Sequence, residues 1–159
     1  ILILLYLLLF SRFFVFNFFL SKCILGSSLA ETTSGWTYHP IRKPMNWTVA
    51  RQSCQTHYTD MVVIQNQQEN DYVVSLLPNK MRGPYYWIGI TRKHKNHTWT
   101  WIGNNSTWVG EQSWATNEPN NNHSTEFCVE IYVNKGLDRG RWNDEKCDSR
   151  KPSVCYQGK

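Results

Sequence analysis

The chain contains no Cys-x-x-Cys pair and no EF-hand calcium loop, and its charge is only mildly one-sided. The first absence argues against a zinc ribbon or finger, whose thiolates come in such close pairs. The second excludes the loop that places acids, amides and a glycine at fixed positions around calcium. With 17 basic and 12 acidic residues, the positive excess is too small to argue for nucleic acid. An acidic sugar is the more modest partner it allows. An initiating methionine is also missing, so the N-terminus is read as incomplete.

What is present begins with an almost continuously apolar run, ILILLYLLLFSRFFVFNFFLSKCILGSSLA, broken by Arg12 and Asn17. It ends in small residues at Ser28 and Ala30, and residues 1–30 are read as a secretory signal peptide. The competing reading is an uncleaved anchor over residues 1–25, against which Arg12 near the middle counts. Without Arg12 and Lys22 the basic count falls from 17 to 15, a net charge of +3 rather than +5. Residues 31–35 are then a short mature leader to a single domain over 36–159. Four cysteines remain, Cys54, Cys128, Cys147 and Cys155, which read as two disulfides with three connectivities open. Sequons at Asn46, Asn96, Asn104, Asn105 and Asn122 point to the same compartment. The expected location is secreted, or the extracellular face of the plasma membrane.

Around residues 47–58, Ala50, Cys54 and Tyr58 recur four apart, as on one face of a helix. Asn66 with Glu69 three residues on is a capping signature for a second helix. Tyr72, Val73, Leu76 and Leu77 form its expected apolar face, and Pro78 stops it. Beyond it come short strand-like runs, YYWIGI (85–90), TWTWI (98–102), CVEIYV (128–133) and SVCY (153–156), separated by turn residues. Helices first and strands later indicate an α+β domain rather than a repeating βαβ wind. Most of the eight tryptophans are expected in the core.

The long stretch from Gly103 to Glu126 is poor in regular structure, as functional loops often are. It holds Glu118-Pro119-Asn120 and Glu126; Asn143-Asp144-Glu145 follows Trp142. These are hard oxygen donors of the kind that calcium gathers, six to eight at a time. Glu118, Asn120, Glu126, Asn143 and Asp144 supply five side chains. Pro119 between two of them can take the cis bond that turns both to one side. The plainer alternative is that both segments are only turns.

The ordered set WTYHPIRKPMNW, YTDMVVIQNQQEN, YYWIGI, WTWIG, W-x-x-NEPNN, CVEIY, RWNDEKC and SVCY resembles the C-type lectin domain. More narrowly it resembles the lectin domain of selectins, of the L- or P-selectin kind, from about Trp36 to Tyr156. The resemblance implies two helices, two antiparallel sheets and nested disulfides, Cys54–Cys155 and Cys128–Cys147. It implies one principal Ca²⁺ site made by Glu118, Asn120, Asn143 and Asp144, with Glu126 at a further acidic position. In that family Glu-Pro-Asn accompanies mannose- and fucose-type sugars.

The resemblance also implies that a fucosylated, sialylated ligand on cell-surface glycoproteins runs along Tyr85, Glu130, Tyr132 and Lys135. Glu130 and Tyr132 alternate along a strand and can equally be ordinary exposed residues. Arg139, Arg141, Lys146, Arg150 and Lys151 suit a sialylated or sulfated ligand, but surface charge is the commoner explanation. Phe127 stands where selectins usually carry an acid, and Asn122 puts a sequon inside the binding loop. A calcium-dependent adhesion lectin has two rivals. One is a lectin-like domain with protein ligands or no sugar binding. The other is a glycosidase, disfavoured because nothing places two carboxylates across a scissile bond.

Overall fold

The computed structural model describes residues 35–78, 85–103, 113–134 and 136–158. Residues 1–34, read above as signal peptide and leader, lie outside them, as do Asn104, Asn105 and Lys135.

Strand β1 (Thr37–Met45) leads into helix α1 (Trp47–His57), then β2 (Asp60–Met61) and helix α2 (Gln67–Leu76). Strands β3 (Tyr85–Thr91), β4 (Thr100–Trp101), β5 (Cys128–Tyr132), β6 (Trp142–Glu145) and β7 (Lys151–Gln157) follow. Both helices start where a side chain caps them. Asn46 Oδ1 accepts from the Val49 N–H at 2.9 Å and Asn66 Oδ1 from the Glu69 N–H at 2.9 Å, each satisfying a donor the first turn leaves open. Helix α2 ends ahead of Pro78 with Leu77 extended, as the residue before proline prefers.

The buried face of α2 is only partly the expected one, with Val73 and Leu77 buried as read. Tyr72 and Leu76 are exposed, while Glu69, Asn70, Val73 and Val74 face inward. The polar pair is buried because it is bonded. Glu69 accepts from the Tyr38 hydroxyl and from the Gln65 N–H. Asn70 donates to the Gly140 carbonyl at 2.9 Å and accepts from Trp142 Nε1 at 3.0 Å.

Strand order is β1-β7-β3-β5-β6, with β2 on β7 and β4 on β3. The two expected sheets are joined into one mixed sheet, because β3 and β7 run parallel through the bridge Trp87↔Ser153. Both expected disulfides are formed: Cys54–Cys155 pins α1 to β7, and Cys128–Cys147 spans from β5 to just past β6. The WTWI run makes only the two-residue β4. The WNDE segment is an edge strand rather than a turn.

The core is aromatic and aliphatic, with Trp87, Trp101, Trp142, Tyr86, Ile88 and Ile131 fully buried. Buried indole N–H groups need acceptors: Trp47 donates to the Ile88 carbonyl and Trp87 to the Met45 carbonyl, both at 3.0 Å. Gly89 lets two chains come close, since a Cβ there would lie 2.7 Å from the Val62 carbonyl oxygen. That carbonyl accepts from the Gly89 N–H at 2.8 Å. The result is a sheet whose β5–β6 register faces Val129 to Asp144 and Glu130 to Asn143.

Candidate functional site

The acids and amides singled out above lie on two supports. Asn143 and Asp144 sit on β6, and Glu118, Asn120 and Glu126 on the loop ahead of β5. Left-handed backbone recurs in that loop, at Asn117, Asn121, His123 and Ser124. Asparagine tolerates this conformation better than most side chains, which gives its abundance here a local reason. The Glu118–Pro119 peptide is cis.

Asp144 fastens the loop to the sheet. Its carboxylate is fully buried and accepts from the Asn120 N–H through Oδ1 and from the Asn121 N–H through Oδ2, both at 2.9 Å. The same Asn120 N–H lies 3.1 Å from Glu118 Oε2. Two carboxylates, one from the loop and one from the strand, therefore converge on a single amide hydrogen. Burial raises the pKa of Asp144, opposed by the Asn121 and Asn120 N–H groups and by Arg92.

Glu126 braces the turn from below. Its Oε2 accepts from the Asn122 N–H at 2.7 Å, and its own N–H donates to Asn121 Oδ1 at 3.2 Å. Burial raises its pKa too; the Asn122 N–H opposes that, and the nearby Asp144 charge adds to it. Phe127 leaves this arrangement intact and sets its ring 5.8 Å from the Arg92 guanidinium.

Asn143 is oriented from behind. Its Nδ2 donates to Glu130 Oε1 at 2.9 Å, which leaves its carbonyl oxygen pointed away from that carboxylate. Glu130 is only 2% exposed, and Lys151 Nζ lies 2.6 Å from its Oε2 and 3.1 Å from Glu145 Oε2. Neither Glu130 nor Tyr132 is an exposed strand residue; all five residues of β5 are buried. Lys151 is likewise no solvated charge, with a side chain only 12% exposed. Burial raises the Glu130 pKa against the pull of Lys151.

Tyr85 and Tyr132 are register partners on β3 and β5, with ring centroids 5.1 Å apart. Lys151 Nζ sits 4.9 Å from the Tyr85 ring. Lys135, Asn104 and Asn105 lie outside the described residues; of the other sequons, Asn96 and Asn122 are exposed and Asn46 is half-buried in its capping role.

Two residues of this neighbourhood have no signal in their spacing. Arg92, just past β3, reaches Asp144 Oδ2 at 3.4 Å. Asn70, on α2, holds Trp142 next to Asn143. Both are single polar residues in segments that read as turn or helix, and only the tertiary contacts reveal them.

The donor set suits a hard cation. It offers carboxylate oxygens from Glu118 and Asp144 and amide oxygens from Asn120 and Asn143, the types that calcium prefers. Among the described residues no group of three or more His, Cys, Asp or Glu forms a metal cluster, so such a site leans on its amides. Glu118 Oε2 and Asp144 Oδ1, which both face the Asn120 N–H, each keep a further lone pair.

A two-helix domain with nested disulfides and an edge strand carrying Trp-Asn-Asp beside a Glu-Pro-Asn loop is the C-type lectin architecture. The Lectin C-type domain family matches residues 43–157, and the chain belongs to it. It is 48% identical over 126 residues to mouse (Mus musculus) L-selectin, a match covering 78% of this chain and 32% of that protein. It is 43% identical over 140 residues to bovine (Bos taurus) E-selectin, covering 87% and 28%. The chain thus spans about a third of the length of these selectins. Human lithostathine shares the fold at a TM-score of 0.69 and 23% identity, with 82% of this chain and 96% of that one covered. The domain belongs with binding modules rather than enzymes.

Proposed function

We propose that this domain is a calcium-dependent glycan receptor of cell adhesion, with Glu118, Asn120, Asn143 and Asp144 as the residues that would hold the ion. The observation that carries this is the single Asn120 N–H shared by the Glu118 and Asp144 carboxylates. It draws acids from two distant segments to one point. Calcium, when bound, supplies the charge on which two vicinal sugar hydroxyls can rest.

The chain's own groups set the direction of every remaining bond. The Glu118 carboxylate accepts a hydroxyl proton and the Asn120 and Asn143 amides donate to hydroxyl oxygens, while the fully buried Asp144 serves the ion and the loop rather than the sugar hydroxyls. Asn143 keeps one N–H for this, since its other is committed to Glu130. Glu130 therefore acts as a positioning residue behind the amide. Glu126 holds the turn that carries Asn120.

The favoured ligands are fucosylated and sialylated glycans on cell-surface glycoproteins, sulfated forms included. The Glu-Pro-Asn order and the likeness to selectins support the fucose. The Tyr85 hydroxyl and Lys135 are the proposed contacts beyond it, with Tyr132 supporting Tyr85 from the neighbouring strand. The two disulfides fit an oxidising, extracellular setting. Among the described residues no helix is long and apolar enough to cross a membrane.

Calorimetric titration with calcium tests the ion. Extracellular modules bind at about 10⁻⁴ to 10⁻³ M, and heat is expected in that range and not in Asp144→Asn. No heat from the unaltered protein would favour a lectin-like domain with protein ligands.

A further inference from the structure

The most unusual group near the candidate site is a cation the chain itself supplies. The Arg92 side chain is 9% exposed, and its Nη2 lies 3.4 Å from Asp144 Oδ2. The same nitrogen donates to the Glu126 carbonyl at 3.1 Å, and Nη1 donates to the Lys95 carbonyl at 3.4 Å. Its guanidinium carbon sits 4.2 Å from the Trp99 ring and 5.8 Å from Phe127. Its Nε is buried with no hydrogen-bond partner. A buried guanidinium with an unmet donor is costly to keep, so what it holds is informative.

We propose that Arg92 is the resident cation of this loop: it neutralises Asp144 and ties down Glu126, so that the Asn120–Glu126 turn stays formed without a metal ion. It grips the Asp144 carboxylate and the backbone carbonyl of Glu126, the residue whose side chain receives the Asn122 N–H. Asp144 receives the Asn120 and Asn121 N–H groups, and Glu126 receives that of Asn122. Without a positive neighbour, Asp144 would be an uncompensated buried charge, and its cheapest relief is to release the loop and meet water.

Phe127 acquires a role here. Where an acid would compete with Asp144 for the guanidinium, the phenylalanine ring instead lies 5.8 Å from it, within cation–π range. The planar fork also explains why arginine rather than lysine stands at this position. One guanidinium can lie on the indole and still reach a carboxylate and a carbonyl.

Arg92 is a positioning residue in this account, acting on the ligand set through Asp144 and Glu126. A consequence follows for the ion, resting on the calcium reading above. Guanidinium and calcium satisfy the same carboxylate, so removing the first makes loop order depend on the second.

Hydrogen exchange on the full chain in EDTA tests this, read at the Asn120, Asn121 and Asn122 amides. In the unaltered protein these amides are expected to be protected without metal. In Arg92→Gln they should exchange at least about tenfold faster, the scale of a lost charge-assisted bond, while β1 and β7 keep their protection. Calcium should restore protection in that variant. Arg92→Lys, which keeps the charge but not the fork, should fall between the two, and it serves if Arg92→Gln does not fold. Unchanged loop exchange in Arg92→Gln would overturn the proposal. So would a metal-free unaltered protein whose loop exchanges like an unfolded peptide. Failure of calcium to protect Arg92→Gln would refute the shared role, whereas calorimetry on the unaltered protein separately decides the calcium reading.

Discussion

Asn143 donates one amide hydrogen to Glu130 across 2.9 Å, and that bond decides which way its carbonyl oxygen points. Partners behind a ligating side chain typically change metal affinity 10- to 100-fold when lost. Glu130→Leu, which removes the acceptor while Lys151 keeps Glu145, should therefore weaken calcium binding by about tenfold or more. Calorimetry on the variant checks this; an unchanged calcium affinity would remove Glu130 from the positioning role.

Lys151 stands between Glu130 and Glu145. Removing one partner of a buried pair leaves an uncompensated charge, at a cost of about 3–5 kcal/mol. Lys151→Met should lose stability on that scale in urea denaturation at neutral pH. A loss no larger than a surface substitution gives would show the pair to be solvated.

The same lysine has a pH signature. Burial lowers its pKa, but the Glu130 and Glu145 carboxylates overcome this and hold it above its ordinary value. A raised folded value means the pair's stabilisation is fully present below the unfolded lysine pKa of about 10.4 and is lost as pH rises through the folded one. Stability of the unaltered protein should thus fall more steeply than that of Lys151→Met above that range. Burial also raises the pKa of Tyr38 and Tyr132, which adds its own alkaline loss of stability, so the difference between the two proteins is the quantity to measure. Parallel curves would contradict the pairing.

Asn70 reaches from α2 to the segment before the site, bonding the Gly140 carbonyl and the Trp142 indole. Asn70→Ala strands two buried groups, each worth about 1–3 kcal/mol. A destabilisation of about 2–4 kcal/mol is expected by thermal or chemical melting, accompanied by weaker calcium binding through the displaced Trp142. Wild-type stability would show that water replaces the amide.

These positions also mark where the sequence could be read and where it could not. The caps at Asn46 and Asn66 were legible because each lies within three residues of the N–H it serves. The strand runs and the oxygen clusters were legible as local composition, and the order of motifs carried the disulfide frame. Glu130 was not legible. Alternation along a strand tells which residues share a face, and β5 is covered on both. Half of the α2 face was legible, at Val73 and Leu77; Glu69 and Asn70 were missed because they are polar, and only partners 31 and 72 residues away at Tyr38 and Trp142 make their burial tolerable. Arg92 looked like one basic residue in a basic turn; its meeting with Asp144, 52 positions on, is purely tertiary.

Asn120 separates sugar recognition from folding. Its side chain is exposed, and its backbone rather than its amide makes the loop bonds. Asn120→Asp removes a donor to the sugar but keeps an oxygen for the ion. Sugar binding should fall by about tenfold, the scale of a hydrogen bond involving a charged group, with melting temperature nearly unchanged. Equal losses of both would mean that Asn120 is structural.

Binding of the protein to an array of fucosylated, sialylated and unmodified glycans, with calcium and again with EDTA, tests the central claim most directly. Signal is expected on the fucosylated, sialylated structures, abolished by EDTA and returned by restored calcium. Binding that survives EDTA, or no glycan binding from protein shown to be folded and calcium-loaded, would contradict it.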